Sequence, residues 1–353
     1  MSSVLKYAYL SAKVRGMKLL LFNKERFYSL LGSRDLEGLL RLLEDTSYEL
    51  EAYKIMEKPT PANIETTLME NFVKTVETII DESPGALKDF LKRSLRKLEA
   101  SNLKLVLRAK HSGLKFTDIQ GQLFPLKTFE VETCKALLEG AKTVKDIVYS
   151  LEGSPYSDSL KFALPEYESR NSLLPLETAL DKYVYLTLID GLREFGGLDR
   201  KVAQELIGVE VDTLNVKVAI RCKRLNVEQE AFQNYIIPGG YVFDEERLLK
   251  AYTVSGVEEL FQALAVHHYA PYIMKGFEDY KNTKSLMGLE VELDRLLMRA
   301  NKEICRKYPN PFHVGVVLSY LNLKWFEVRN LRTIMLGKVS GIPSEAIAKL
   351  LIL

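Results

Sequence analysis

Cysteine, histidine and tryptophan are scarce in this 353-residue chain, which has three, four and one of them. Cys134, Cys222 and Cys305 lie far apart with no CxxC pair, so neither a disulfide framework nor a thiolate zinc site is expected, and a reducing, cytoplasmic setting fits best. His267 and His268 are adjacent, so on a helix they would point about 100° apart. His111 and His313 stand alone, and none of the four has ligand-like spacing to Cys, Asp or Glu, so no metal site is expected. Nucleotide loops are missing as well. Neither GxxxxGK(S/T) nor GxGxxG occurs, and the pairs Gly196-Gly197 and Gly239-Gly240 read as turns, so no cofactor is expected. No run reaches the ~18 apolar residues of a membrane span. The opening Met1-Ser-Ser-Val-Leu-Lys, soon broken by Lys13, Arg15 and Lys18, does not read as a signal peptide.

Charge of one sign is lacking too: 49 basic residues face 47 acidic ones, for a net +2. No basic face is therefore demanded, and a general nucleic-acid binder is disfavoured. The 18 Tyr and 15 Phe sit at helical core spacing without a basic escort, which favours packing over base stacking. With 47% apolar and 27% charged residues the composition is that of a folded protein, and its length implies two or three domains.

What the chain does contain is a repeat. At a shift of 113 residues, Glu99-Ala-Ser-Asn102-Leu-Lys104 returns as Asp212-Thr-Leu-Asn215-Val-Lys217, with Arg108 and Lys110 returning as Arg221 and Lys223. The same shift places Pro125 on Pro238, Val144 on Val257, Tyr156 on Tyr269, Glu177 on Glu290 and Asp181 on Asp294. A third copy, Glu327-Val-Arg-Asn330-Leu-Arg332 with Lys338, follows Asn215 at a spacing of 115. Leu36, Tyr48, Glu65 and Leu68 carry the earlier elements of a further copy. A degenerate relative, with Tyr9 at the asparagine position and Arg15 at that of Arg108, starts the chain. The period is too long for a solenoid, so each copy reads as a small domain: 1–112, 113–226 and 227–353.

Leucines at three- and four-residue spacing in Leu36–Leu43, and the stripe Leu176, Leu180, Tyr183 and Val184, predict helix nearly throughout, an all-α fold. Ser255-Gly-Val-Glu258 and Thr143-Val-Lys-Asp146 predict capping boxes, Pro343 the first turn of a last helix, and Asp244-Glu245-Glu246 a helix start. Extended structure is expected only around Ile236–Phe243. The acid and amide of each motif, Glu99 and Asn102, Asp212 and Asn215, Glu327 and Asn330, share a helix face one turn apart. There the amide can bond the carboxylate or a nearby backbone group and lock the helix into its unit. Three matched copies, each without a nucleophile or cofactor, argue for structure rather than catalysis, and Cys134, unmatched in the other copies, reads as core.

Tyr7-Ala-Tyr-Leu-Ser-Ala-Lys-Val-Arg15-Gly-Met, Asn102-Leu-Lys-Leu-Val-Leu-Arg-Ala-Lys110 and Glu327-Val-Arg-Asn330-Leu-Arg-Thr-Ile-Met-Leu-Gly-Lys338, in that order, resemble the C subunits of archaeal and bacterial A/V-type ATPases, relatives of the eukaryotic V-ATPase d subunits. The resemblance implies three similar helical domains around a pseudo-threefold axis, a funnel. It further implies a non-catalytic rotor adapter that receives the central stalk, subunits D and F, and sits on the membrane proteolipid ring. Leu336 departs from the pattern, standing where Arg108 and Arg221 stand in the other copies. A helical scaffold of an unrelated complex would share the repeat but bind neither stalk nor ring.

Overall fold

A computed structural model describes residues 3–353, with side chains from residue 7 onward; Met1 and Ser2 of the opening segment lie outside the described residues. Helices carry the chain and no strand occurs among the described residues. They run α1 (Ser3–Leu19), α2 (Lys24–Leu31), α3 (Leu36–Arg41), α4 (Glu49–Glu57), α5 (Pro61–Glu82), α6 (Gly85–Ser94), α7 (Arg96–Ser112), α8 (Phe116–Ile119), α9 (Val131–Gly140) and α10 (Val144–Ser150). Then come α11 (Ser157–Arg170), α12 (Leu174–Gly191), α13 (Gly197–Arg224), α14 (Gln229–Phe232), α15 (Glu245–Tyr252), α16 (Val257–Leu264), α17 (Ala270–Thr283), α18 (Met287–Lys307), α19 (Gly315–Val339) and α20 (Ser344–Leu350). Residues 1–144 with 310–353 form one compact unit, and residues 145–309 the other.

Each unit has a long, enclosed helix that carries the acidic-x-x-Asn motif, and the first unit holds a second motif helix, α7. In the first unit the long helix is α19, which buries Val316, Val317, Leu318, Tyr320 and Leu321 in near-unbroken succession, the mark of a helix enclosed on all sides. Against it pack α1, α2, α3, α5 and α20. Helix α5 starts with Thr60 as N-cap and Pro61 at its first position, and it turns Ile64, Leu68, Phe72, Val76 and Ile79 inward. Phe72 meets Trp325 of α19 at 5.0 Å between ring centroids, and Phe124 completes the cluster 5.4 Å from the same indole. In the second unit α13 takes the central place, burying most residues from Leu206 to Cys222 and flanked by α12, α15, α16 and α18.

The 113-residue shift reappears in the element boundaries. Displaced by it, Phe116, where α8 begins, lands on Gln229, where α14 begins; Ser157–Arg170 lands on Ala270–Thr283, and Leu174 on Met287. Left-handed residues coincide as well, Asn171 (φ 48°) with Lys284 (φ 56°), and Gly113 (φ 70°) with Asn226 (φ 51°). At the 115-residue spacing Gly341 (φ 65°) takes the same place after α19. Each of these last three follows a motif helix, where a left-handed residue closes the helix end. The matching bonds, Leu114 N–H to Ala109, Val227 N–H to Cys222 and Ile342 N–H to Gly337, satisfy carbonyls that the helix leaves open.

Some local expectations differ from the structure. Ser255 does not cap α16; Gly256 stands at the N-cap without a side-chain bond. Pro343 occupies the N-cap of α20 rather than its first turn. His267 and His268 lie in a 3-10 turn, with His267 at φ 49°, not on an α-helix. Ile236–Phe243 has no partner strand among the described residues, because other groups take its backbone donors. Asp244 does cap α15, accepting from the Arg247 N–H, with Glu245 and Glu246 in the first turn.

Candidate functional site

Three asparagines make the same contact. The Asn102 amide donates to the Phe124 carbonyl at 2.9 Å while its oxygen accepts the Phe124 N–H at 2.8 Å. Asn215 holds Ile237 in this way at 2.8 and 2.9 Å. Asn330 holds Ile352 at 2.7 and 2.8 Å. Every pair is separated by 22 residues and buried. An amide is suited to this task because its donor and acceptor lie side by side, as the N–H and C=O of a neighbouring strand would. The left-handed residue 11 positions after each asparagine turns the chain back so that the clamped residue returns beside it.

The acidic residue one turn earlier does not pair with the asparagine; it ties down other elements. Asp212, wholly buried, accepts the N–H groups of Tyr241, Val242 and Phe243 at 3.1, 2.7 and 3.1 Å, and the Tyr269 hydroxyl at 2.8 Å. Burial pushes its carboxyl up to about 6 against the pull of these four donors, and it drives the Tyr269 phenol well upward. Gly240 is required here, since a Cβ would collide with the Phe243 carbonyl and an Asp212 oxygen. Glu327 accepts the Tyr48 hydroxyl at 2.7 Å, the Phe22 N–H at 2.6 Å and the Lys324 ammonium at 3.1 Å. Lys324 also donates to the Tyr48 oxygen at 2.7 Å and lies 4.0 Å from the ring centroid. Burial and the Glu327 charge raise the Tyr48 phenol well above its ordinary range. Glu99, partly exposed, takes the Thr128 hydroxyl.

The lysine at the end of each motif helix secures the approach to another helix. Lys110 donates to the Ala141 carbonyl and Lys223 to that of Val254, both at 2.8 Å, and Lys338 to that of Ser33. These acceptors stand three residues before Val144, Val257 and Leu36, where α10, α16 and α3 begin. In the second unit Arg221 pairs with Glu290 of α18. Although Leu336 replaces that arginine in the last copy, Arg332, one turn earlier, pairs with Glu65 of α5. The partners of α19, namely Ser33, Tyr48 and Glu65, thus come from the beginning of the chain. At the degenerate N-terminal relative, Tyr9 is 68% exposed, so no buried clamp forms at that position.

Asp212 to Tyr269 spans 57 residues, as Glu99 to Tyr156 does, so the repeat marked Tyr269 in the sequence. Lys324 gave no such signal, because Val209 stands at the matching place.

The remaining candidates are packed or engaged in structure. Cys134 and Cys222 are buried, and burial pushes both thiols up to about 12, far from thiolate reactivity. Buried His313 accepts the Gly315 N–H at 3.1 Å. Neither glycine pair forms the expected turn: Gly239, at φ 90°, follows a bend at Pro238, and Gly196 and Gly197 are the N-cap and first residue of α13. Among the described residues no group of three His, Cys, Asp or Glu is placed to hold a metal, and no helix is long and apolar enough to cross a membrane.

The family model for the ATP synthase (C/AC39) subunit matches residues 10–350. The A-type ATP synthase C subunit of Methanocaldococcus jannaschii is 31% identical over 347 residues, covering 98% of this chain and 86% of that one. The corresponding subunit of Haloferax volcanii is 30% identical, covering 98% and 97%, and that of Archaeoglobus fulgidus 28%, covering 98% and 96%. A match over residues 10–350 takes in all three motif asparagines, and the chain belongs to the ATP synthase C/AC39 subunit family.

Proposed function

We propose that this chain is the rotor adapter of an A-type ATPase, a non-catalytic subunit that joins the central stalk, subunits D and F, to the membrane proteolipid ring and passes torque between them. Membership of the C/AC39 family over nearly the whole chain carries this reading. The site geometry supports it: the motif carboxylates and amides are occupied by fixed internal donors, which makes a stiff element rather than a reaction centre. The three sequence copies, 1–112, 113–226 and 227–353, are in this reading three similar helical domains about a pseudo-threefold axis, forming a funnel. Glu99, Asn102, Asp212, Asn215, Glu327 and Asn330 hold each motif helix in place. The protein would work on the cytoplasmic side, held to the membrane through the complex during ATP-coupled ion transport. Omitting it from a reconstituted complex is expected to leave ATP hydrolysis by the soluble head intact and to abolish ATP-driven ion transport. Full-rate pumping without it, or turnover by the isolated chain, overturns the assignment.

A further inference from the structure

Within the second unit, α13, α17, α18 and the 241 loop enclose a cleft of about 420 Å³, within the size range of small-molecule sites. Leu296, Ala300 and Ile304, spaced four apart on α18, form its apolar floor with Val209 of α13. The rings of Tyr241, His268 and Tyr272 supply flat walls.

The charges are unequal. Arg299, Arg306 and Lys307 face Glu205 and Glu303, and burial lowers the His268 pKa so that its ring is neutral near pH 7. Lys307 is matched by both oxygens of Glu205, at 2.6 and 2.7 Å. Glu303 is shared by Arg299 at 2.9 Å and Arg306 at 3.3 Å, so two guanidiniums stand over one carboxylate. One positive charge is left in excess, beside an apolar surface and on arginines whose five N–H donors are not all used there.

The repeat does not oblige this arrangement. At the 113-residue shift Arg299, Glu303 and Lys307 correspond to Leu186, Asp190 and Glu194, and His268 and Tyr272 to Pro155 and Ser159. The clamps recur while the cleft chemistry does not, which separates the cleft from the scaffold.

We propose that this cleft binds a small organic monoanion with a flat apolar body, of the aryl carboxylate class. A carboxylate suits the bidentate geometry of a guanidinium and neutralises the one surplus charge. An inorganic ion would leave the ring faces of Tyr241 and Tyr272 wet, and a multiply charged anion would meet Glu205 and Glu303 without compensation. This reading stands apart from the adapter role.

The test uses the full chain and two probes of equal shape, 2-naphthoate and 2-naphthamide, titrated calorimetrically at low salt. Naphthoate is expected to bind at least about tenfold more tightly, since one charge-assisted contact contributes more than about 1.4 kcal/mol. Arg299→Gln with Arg306→Gln, at side chains 58% and 81% exposed, should bring naphthoate down to the amide's affinity without changing the melting temperature. Equal affinity for the two probes, no binding of either, or unchanged naphthoate binding by the folded double variant overturns the proposal.

Discussion

Glu327, near the end of the chain, accepts the hydroxyl hydrogen of Tyr48 at 2.7 Å across 279 residues of sequence, in a fully buried contact. Lys324 touches both partners, so an ammonium, a phenol and a carboxylate share one dry pocket in which each satisfies the others. Removing one member leaves the rest uncompensated, whereas removing the charges together does not.

Lys324→Met is therefore expected to destabilise the protein by about 3–5 kcal/mol, and adding Glu327→Gln should recover a large part of the loss. Urea unfolding of the two single variants and the double variant checks this coupling. Additive losses would deny that the two groups act as a pair.

Asn330→Ala leaves the N–H and C=O of Ile352 without partners and should cost about 1–3 kcal/mol. Trp325, the single tryptophan, lies on the same helix α19, so its fluorescence follows this unit alone. Asn215→Ala should lower calorimetric stability by a similar amount while shifting the Trp325 transition less. Unchanged melting with weakened binding of the complex would place these residues at an interface instead.

The pH dependence of Asp212 has a definite sign. Its folded pKa, about 6, lies above the ordinary 3.8, so between roughly pH 4 and 6 the native state holds a proton that the unfolded chain has released. Asp212 thus favours folding most at acid pH, and the advantage declines as pH rises through 6, by up to about 3 kcal/mol. Asp212→Asn should remove this slope. Stability of the two proteins, compared from pH 4 to 7, should show wild type losing ground to the variant as pH rises. A difference constant with pH would mean that the four donors hold the carboxylate ionised throughout.

Gly240→Ala should unfold the 240–243 loop or cost several kcal/mol, because the new methyl meets the Phe243 carbonyl and Asp212. Gly16→Ala is the control, with nothing within 4 Å of its Cβ in α1, and should stabilise by up to about 1 kcal/mol. Thermal melts of both distinguish crowding from backbone freedom.

The helical class and the register of the copies were legible in the sequence because apolar spacing and a constant shift survive substitution. Asn102, Asn215 and Asn330 stood out through that shift, but their partners did not. Phe124, Ile237 and Ile352 use only backbone atoms, on which side-chain identity leaves little trace. Of the extended stretch expected around Ile236–Phe243, Ile236 has extended backbone but no strand ladder forms, because β-branched and aromatic residues mark buried backbone as readily as strand, and here a carboxylate takes the hydrogens a strand would have taken. The pairing of Arg332 with Glu65 was not legible, since Arg332 stands where the other copies have Lys104 and Lys217 and reaches Glu65 from one turn before Leu336, supplying the guanidinium that the leucine cannot.

Because α19 and α20 complete a unit whose other helices come from residues 1–144, the order of synthesis matters. At roughly 5–20 residues per second, the 279 residues between Tyr48 and Glu327 take roughly 15 to 60 s to emerge from the ribosome. For that time the surfaces of α1, α2, α3 and α5 that α19 will cover have no permanent cover, while residues 145–309 already hold their own central helix. A ribosome stalled just before Gly315 would release a chain with a foldable middle and an unfinished beginning, the form that proteases and chaperones recognise first.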